Sequence, residues 1–322
     1  MDKNGETVFV TGSAGFIGFS LSKRLLEQGK NIIGIDNLNR YYDVNLKKAR
    51  LKILQSYENF VFYKEDIQNI QALREIFAKH RIDRICNLAA QAGVRYSLED
   101  PFAYEKSNVQ GFLNLLEIAR EYRPENFVYA SSSSVYGSNK KIPFSVLDRT
   151  DSPISLYAAT KKANELIAHA YSHLYQIPCT GLRYFTVYGP WGRPDMALFL
   201  FTDAILNNRP IDVYNYGDMK RDFTYIDDIV SGTIAALERS VPYEVFNLGN
   251  SRSEQLMKLI GILEKELGKE AEKNMMPMQP GDVRETSADI RKSTELLGFK
   301  PKTSLEEGIR KFVAWYRDFY RC

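Results

Sequence analysis

The sequence has few residues of the kinds that form cross-links or bind metals, with three cysteines and three histidines among its 322 residues. Cys86, Cys179 and Cys322 are far apart and odd in number, so we expect free thiols rather than a disulfide framework. This favours a reducing compartment, and we predict a cytoplasmic protein. His169 and His173 could share a helix face, but no acidic partner accompanies them in a metal-binding motif, so we predict no metal site.

Long apolar runs and strongly charged stretches are also missing. Because no apolar run reaches the ~18 residues of a membrane helix, we expect neither a membrane span nor a secretory signal peptide. The net charge is only +3, and no basic run, zinc-knuckle spacing or recognition-helix pattern indicates nucleic-acid binding. A hydrophobic content of 44% and a charged content of 26% are ordinary for a globular protein with a large core.

What the sequence does contain is a glycine-rich turn near its beginning, in the run VFVTGSAGFIG at residues 8–18. An apolar β-type stretch leads into the turn, and an amphipathic helical pattern follows at 16–28. Gly12, Gly15 and Gly18 allow a tight turn, close approach of a pyrophosphate and close helix packing, and the helix N-terminus favours phosphate charge. The pattern therefore predicts dinucleotide binding.

An acidic residue at the end of the second predicted strand narrows the choice of cofactor. The run NIIGID at residues 31–36 ends in Asp36, which follows Gly18 by 18 residues. A carboxylate at this place accepts hydrogen bonds from the adenosine ribose and repels a 2′-phosphate, so the pattern favours NAD over NADP.

Short apolar runs alternate with helical patterns through the first half of the chain. The predicted strands are residues 7–10, 31–35, 60–63, 84–88, 126–131 and 179–185, and the predicted helices are residues 16–28, 43–55, 68–79, 101–122 and 155–175. This alternation predicts an α/β fold: a Rossmann-type, doubly wound parallel sheet with helices on both faces. The C-terminal ends of the strands then share one edge, where ligands bind.

The pattern changes after residue 185, where glycine and proline become frequent and the predicted elements shorten. We expect a smaller, discontinuous α/β lobe that binds the substrate, because 227–239 and 245–250 look like a helix and a strand that return to the main sheet. The predicted dinucleotide-binding domain is therefore 1–185 plus about 223–250, and the predicted substrate lobe is about 186–222 plus 251–322.

A tyrosine and a lysine open the long predicted helix at 155–175. Tyr157 and Lys161 are four residues apart, which places the phenol and the ammonium on one helix face. The strand before it ends in a run of serines at 131–134, where a polar substrate would lie beside the nucleotide. Tyr157 can exchange a proton with a sugar hydroxyl, Lys161 can lower the pKa of that phenol and bind the nicotinamide ribose, and Ser132 can hydrogen-bond the same hydroxyl. We predict these three residues to be catalytic.

Together these features resemble the extended short-chain dehydrogenases/reductases, in their nucleotide-sugar epimerase branch, over nearly the whole chain. The matching segments are Thr11-Gly12-x-x-Gly15-x-x-Gly18, Asp36-Asn37, Asp66-Ile67, Asn87-Leu-Ala-Ala90, Asn108-Val109, Tyr157-x-x-x-Lys161 and Tyr184-Phe185. The resemblance implies that NAD is held by Gly12, Gly15, Phe16, Ile17, Gly18, Asp36, Asn37, Asp66, Ile67, Leu88, Ala89, Ala90, Gln91, Asn108, Tyr157, Lys161 and Tyr184.

The two residues directly before Val135 distinguish the reactions that members of this branch catalyse. Related 4,6-dehydratases carry an Asp-Glu pair where this chain has Ser133 and Ser134. UDP-glucuronate decarboxylases typically carry a Glu at the position of Ser134. The set that remains is a Tyr base with a Lys, hydroxyls and NAD, and the resemblance then implies a 4-epimerase.

The segment 184–197 carries the clue to the sugar, since it is similar to UDP-glucuronate 4-epimerases as a group. UDP-galactose 4-epimerases usually have Asn where this chain has Thr186. A C6 carboxylate needs charge-assisted donors, which Arg193 could supply. The substrate contacts that the resemblance implies are Ser132, Ser133, Ser134, Thr186, Arg193, Met196, Ala197, Tyr214 (uracil), Arg221 (diphosphate) and Asp282 (uridine ribose), and Arg284 could aid the phosphate.

The predicted function is NAD-dependent 4-epimerisation of UDP-glucuronate to UDP-galacturonate through a 4-keto intermediate, with the second lobe binding the UDP-sugar. A UDP-glucose or UDP-N-acetylglucosamine 4-epimerase, a UDP-glucuronate decarboxylase and a catalytically inert NAD-binding scaffold stay open as alternatives. The resemblance also implies a homodimer that pairs through the predicted helices 101–122 and 155–175.

Overall fold

A seven-stranded sheet forms the centre of the computed structural model, which describes residues 5–322. The strands in chain order are β1 (Thr7–Thr11), β2 (Asn31–Ile35), β3 (Phe60–Tyr63), β4 (Arg84–Asn87), β5 (Asn126–Ser132), β6 (Cys179–Tyr184), β7 (Thr186–Tyr188), β8 (Ile211–Val213), β9 (Lys220–Tyr225), β10 (Tyr243–Leu248), β11 (Ser253–Gln255) and β12 (Lys273–Met275). The α-helices are α1 (Phe16–Glu27), α2 (Val44–Leu54), α3 (Ile70–Lys79), α4 (Tyr96–Glu99), α5 (Pro101–Tyr104), α6 (Gly111–Tyr122), α7 (Leu156–Tyr175), α8 (Ala197–Leu206), α9 (Ile226–Glu238), α10 (Leu256–Leu267), α11 (Arg291–Leu297) and α12 (Leu305–Tyr320).

The large sheet has the order β10-β6-β5-β4-β1-β2-β3, and every neighbouring pair is parallel. The chain order reverses between β1 and β4, so the carboxyl ends of these two strands flank the crevice in which doubly wound sheets bind ligands. The predicted doubly wound parallel sheet is confirmed, and the six predicted strands of the first half lie within one residue of their observed bounds.

Two central strands of the sheet, β1 and β2, carry polar side chains only at their ends. Every residue of β1 and β2 is buried, because helices cover both faces of the sheet and leave no solvent-facing side. α1 and α9 pack on one face, and α3 and α6 pack on the other. Such continuous apolar runs are typical of parallel sheets, which is why they could be recognised in the sequence.

One predicted helix differs in form from the observed one. Residues 101–122 are helical, but a π-helical segment at Glu105–Gln110 interrupts the α-helix between α5 and α6. Asn108 lies in this segment and turns inward, where its side-chain amide makes hydrogen bonds of 2.8 and 3.0 Å with the backbone of Gln91. The wider turn places this amide against the loop that follows β4.

The residues after β6 form smaller sheets of their own. One has the order β11-β9-β7, and the other pairs β12 with β8. As expected, α9 and β10 return to the large sheet, where β10 pairs with β6. β9 runs across the boundary predicted near residue 223, and the division of the chain into two domains stays a prediction.

A buried arginine joins these smaller sheets to the glycine-rich turn. The guanidinium of Arg50 donates to the carbonyls of Ala14 (2.9 Å), Trp191 (2.6 Å) and Gly192 (3.0 Å). It also donates to the hydroxyl of Tyr42 at 2.8 Å. Arg50 therefore holds the segment after β7 against the glycine-rich turn.

The three cysteines are free, with Cys86 and Cys179 buried and Cys322 exposed. Within residues 5–322, none of the helices is long and apolar enough to pass through a membrane. The compartment stays a prediction.

Replacing Gly18 by alanine should destabilise the fold, because the new Cβ would lie 2.0 Å from the carbonyl oxygen of Gly12. We expect a loss of roughly 1–3 kcal/mol in the free energy of unfolding, measured by urea denaturation. Gly261 is the control, since it is exposed within α10 and a Cβ there meets nothing within 4 Å. Gly261→Ala should stabilise by roughly 0.4–1 kcal/mol, and equal effects of the two substitutions would contradict the close approach.

Candidate active site

A cleft of about 420 Å³ runs along the carboxyl edge of the large sheet and is closed by segments that follow β6. It is lined by residues from both parts of the chain, including Gly12, Asp36, Tyr157, Arg193 and Asp282. The cofactor and substrate residues predicted from the sequence line this cleft, except for Asn108, Ala197, Tyr214 and Arg284.

The glycine-rich turn forms the floor of the cleft. Gly15 donates its backbone N–H to the carbonyl of Gly12 at 2.8 Å, which closes the turn in front of α1. Gly12 has a φ of +68°, and a Cβ at this position would lie 2.9 Å from the backbone nitrogen of Ala89. Only glycine suits both the dihedral angle and the contact, so the turn packs directly against the backbone of the loop that follows β4.

Asp36 stands at the end of β2, directly over this turn. Its carboxylate accepts hydrogen bonds from the backbone N–H groups of Ala14 (3.2 Å) and Leu38 (2.8 Å). Burial raises the pKa of the Asp36 carboxyl, and the charge of Lys47 acts against this shift. Lys47 is itself buried and donates to the backbone and side-chain oxygens of Asn39 at 3.0 and 2.8 Å. Sequence reasoning missed Lys47, since it lies inside an ordinary amphipathic helix.

Asp66 and Asn37, predicted for the adenosine end, come together although they follow different strands. The side-chain amide of Asn37 donates to Asp66 at 2.7 Å, and the backbone N–H of Gln68 donates to the other carboxylate oxygen at 2.9 Å. Ile67 is buried beside them and lines the cleft.

The loop after β4 is turned into the cleft by a threonine of the glycine-rich motif. The hydroxyl of Thr11 accepts from the backbone N–H groups of Leu88 (3.1 Å) and Ala89 (3.0 Å) and donates to Asn87 at 2.6 Å. Asn108 lies behind this loop and holds Gln91, so it acts on the cleft through the loop rather than by lining it.

Tyr157 and Lys161 lie side by side on the first turns of α7, but they are held differently. The Lys161 ammonium donates to the carbonyl of Ala130 at 2.9 Å, and burial lowers its pKa to about 8. Burial raises the pKa of the Tyr157 phenol, while the neighbouring Ser132 hydroxyl and the charge of Arg193 lower it. Arg193 is thus a second cation near this phenol, and the role predicted for Lys161 stays a prediction.

The serine run is fixed from behind by a buried ion pair. Ser131 donates to Glu165 at 2.7 Å, and the same carboxylate pairs with both edge nitrogens of Arg183 at 2.8 and 2.9 Å. Ser132 accepts from the backbone N–H of Ser134 at 3.1 Å, which starts the tight turn at the end of β5. Sequence reasoning missed the pair, although a charged residue within the apolar run CTGLRY was a usable signal.

Two arginines lie near the far end of the cleft, and of these Arg221 lines it. Arg95 lies over the ring of Tyr214, 4.3 Å from its centroid, and donates to Asp282 at 3.0 Å. Arg221 lines the cleft close by, and burial lowers the pKa of its guanidinium while Asp282 opposes this shift. Arg95 was missed from the sequence, and like Tyr214 it lies beside the cleft without lining it.

Three other predicted residues are placed differently from what the sequence predicted. Ala197 begins α8 and does not line the cleft, and Arg284 pairs at 2.6 Å with Asp218 on the exposed surface. Tyr184 lines the cleft, but its hydroxyl is hydrogen-bonded at 2.9 Å to Thr233 on α9. Its contact with a ligand would therefore come from the ring or the backbone.

Comparison with known proteins shows which family the chain belongs to. The profile of the NAD dependent epimerase/dehydratase family matches residues 8–249, which is most of the chain. The chain belongs to this family. The glycine-rich turn, Asp36 and the Tyr157–Lys161 helix all lie within the matched residues.

Relatives of this epimerase/dehydratase are similar over the full length. A probable UDP-glucuronate 4-epimerase of Rhizobium meliloti is 47% identical, and the alignment covers 97% of each chain. The crystal structure of a UDP-glucuronic acid 4-epimerase from Bacillus cereus, in complex with UDP-glucuronic acid and NAD, has a TM-score of 0.90 and 36% identity over 98% of this chain and 100% of that one. A UDP-glucose 4-epimerase from Thermotoga maritima with UDP-glucose has a TM-score of 0.88 and 33% identity over 98% and 99%.

The cleft fits the family's cofactor, NAD. Gly12, Gly15 and Gly18 line the cleft at the N-terminus of α1, where a helix favours the charge of a pyrophosphate. Asp36 presents a carboxylate where the adenosine ribose of a dinucleotide lies. Asn37, Asp66 and Ile67 would hold the adenosine half, and Ala89, Ala90 and Lys161 would hold the nicotinamide half.

The buried ammonium of Lys161 should lower the free energy of unfolding at neutral pH. Its pKa of about 8 lies below the ordinary 10.5, so the protonated ammonium costs stability below pH 8, and this cost disappears as the pH rises from about 8 to about 10.5. Lys161→Met should therefore raise the free energy of unfolding at pH 7 by up to about 3 kcal/mol, and remove the rise with pH. Denaturation at several pH values without added cofactor measures this.

Lys48→Met, on the exposed face of α2, is the matched control and should leave the pH dependence unchanged. Parallel pH curves for wild type and Lys161→Met would contradict the buried ammonium.

Proposed function

We propose that the protein is an NAD-dependent UDP-glucuronate 4-epimerase, which interconverts UDP-glucuronate and UDP-galacturonate. The observation that carries this proposal is the position of Arg193. It lines the cleft close enough to Tyr157 for its charge to lower the pKa of the phenol. The reaction takes place at C4, and C6 is attached to the neighbouring carbon C5. A cation beside the proton-transfer group therefore suits a sugar with a carboxylate at C6 better than a sugar with a neutral hydroxymethyl group.

Tyr157 is the proposed acid and base of the reaction. As the phenolate it takes the proton of the C4 hydroxyl, and as the phenol so formed it later returns that proton to the same oxygen, which Ser132 hydrogen-bonds. NAD, when bound, supplies reversible hydride acceptance at C4. Because the proton and the hydride are both returned, the net redox change is zero and the cofactor is not consumed.

Inversion at C4 requires the 4-keto sugar to present both of its faces, so the protein has to grip the nucleotide and leave the sugar free to turn. Arg221 and Asp282 line the far end, where Arg221 suits the diphosphate and Asp282 suits the uridine ribose, and Arg95 with Tyr214 packs beside Asp282. At the sugar end, the serine run and Thr186 offer small hydroxyls that can exchange hydrogen bonds as the ring turns.

A second candidate is a 4-epimerase of neutral UDP-sugars such as UDP-glucose. One feature favours it: Arg193 is already paired with Asp195. A compensated arginine attracts a substrate carboxylate less strongly than a free one.

The deciding experiment is to incubate the purified wild type with UDP-glucuronate, without added cofactor, and to separate the nucleotide sugars. We expect a mixture of UDP-glucuronate and UDP-galacturonate, because retained NAD would be recycled. Conversion of UDP-glucose or UDP-N-acetylglucosamine alone would favour the second candidate, and release of carbon dioxide would indicate a decarboxylase.

Tyr157→Phe is the matched variant for the same assay. It removes one hydroxyl and keeps the ring that packs edge-on against Tyr104, with centroids 6.1 Å apart. We expect turnover to fall by about two orders of magnitude or more while UDP still binds. Turnover near that of the wild type would rule out Tyr157 as the acid and base.

We also propose that two chains pair through α5–α6 and α7. These helices expose the apolar side chains of Phe102 (72% exposed), Leu166 (60%) and Leu174 (66%). Analytical ultracentrifugation should find a dimer for the wild type and a monomer for the double variant Phe102→Glu/Leu166→Glu. Leu147→Glu, outside these helices, is the control and should remain dimeric, and a monomeric wild type would refute the pairing.

A further inference from the structure

Arg193 is held by one carboxylate in a fixed orientation. Its Nε donates to Oδ1 of Asp195 at 3.0 Å, and its Nη2 donates to Oδ2 of the same side chain. This two-point pairing fixes the plane of the guanidinium. The remaining nitrogen, Nη1, makes no hydrogen bond to any of residues 5–322 and lies on the opposite edge of the fork from the carboxylate.

Asp195 is held in turn by Tyr41, which comes from a distant part of the chain. The Tyr41 hydroxyl donates to Oδ2 of Asp195 at 3.0 Å, and its ring packs against Tyr96 with centroids 4.8 Å apart. Gly93, with a φ of +101°, makes room for this hydroxyl, since a Cβ there would lie 2.6 Å from it. Tyr41 and Arg193 both line the cleft, whereas Asp195 lies behind them.

The charges of this group compensate each other. Burial acts to raise the pKa of the Asp195 carboxyl, but the charge and hydrogen bonds of Arg193 and the Tyr41 hydroxyl outweigh it, so Asp195 remains ionised. Arg193 and Asp195 together carry no net charge. A ligand carboxylate would then be recognised by the direction of the free Nη1 edge rather than by excess positive charge.

We infer that Tyr41 and Asp195 are positioning residues that direct the free edge of Arg193 at the C6 carboxylate of the substrate, and thereby set a preference for uronates over neutral sugars. The inference rests on the proposed function. It assigns the preference to a relay of three side chains from two distant segments, and not to Arg193 alone.

The test compares dissociation constants of UDP-glucuronate, UDP-glucose and UDP for the NAD-loaded protein, by calorimetry. Tyr41→Phe removes only the hydroxyl that fixes Asp195, so the preference for UDP-glucuronate over UDP-glucose should fall by about two- to tenfold. The affinity for UDP should stay unchanged, since the uridine and diphosphate contacts lie elsewhere in the cleft.

Asp195→Asn separates positioning from net charge. The amide has one acceptor oxygen and cannot hold both Arg193 donors, so the preference should fall by about tenfold or more even though the site gains a positive charge. If net charge decided the preference, this variant would bind UDP-glucuronate more tightly, and that result would overturn the inference.

Tyr63→Phe is the matched control, because it loses a hydroxyl that bonds at 2.8 Å to His80, away from the cleft. It should keep the preference of the wild type. A wild type with a uronate preference that both site variants retain would overturn only this inference. A wild type without any such preference would overturn the inference and the proposed substrate together.

Discussion

The structure depends on one close backbone approach, between the start of α1 and the turn that follows β1. A Cβ at Gly18 would lie 2.0 Å from the carbonyl oxygen of Gly12, so the helix can begin this close to the sheet only without a side chain there. The approach puts the N-terminus of α1 at the reversal point of the strand order, where its partial positive charge faces the pyrophosphate position. Asp36, the β4 loop and the serine run are then arranged around that point by the parallel sheet, because all their strands end at the same edge.

Charges around the cleft follow a consistent arrangement. Charged side chains are held by partners, as in the buried Glu165–Arg183 pair behind the serine run and the half-buried Arg193–Asp195 pair at the sugar end. Tyr157 and Lys161 lack an opposite charge, and burial shifts the pKa of each toward its neutral form. The unfavourable desolvation is thus concentrated on the two side chains that the proposed reaction uses, where neighbouring charges have the largest effect on proton transfer.

The comparisons place the chain in the NAD dependent epimerase/dehydratase family, and the geometry of the cleft fits NAD. The fold alone does not explain a preference for uronates, since a UDP-glucose 4-epimerase has nearly the same fold. The difference has to lie in a few side chains of the sugar end. The relay from Tyr41 through Asp195 to Arg193 is a physical candidate for that difference, because it orients a cation without leaving it in excess.

The amino-acid sequence by itself determined the parallel sheet, its α/β order and most of the residues that line the cleft, because these depend on local signals. Apolar runs, the glycine spacing and the four-residue separation of Tyr157 and Lys161 are each contained in a short segment. Only the tertiary structure brought Arg95 onto Tyr214, Arg50 onto Trp191, and Tyr41 onto Asp195, 154 positions away in the chain. It also turned Arg284 to the surface and the Lys161 ammonium to the β5 backbone. The direction of a charged side chain depends on packing between distant segments, so a short stretch of sequence does not predict it.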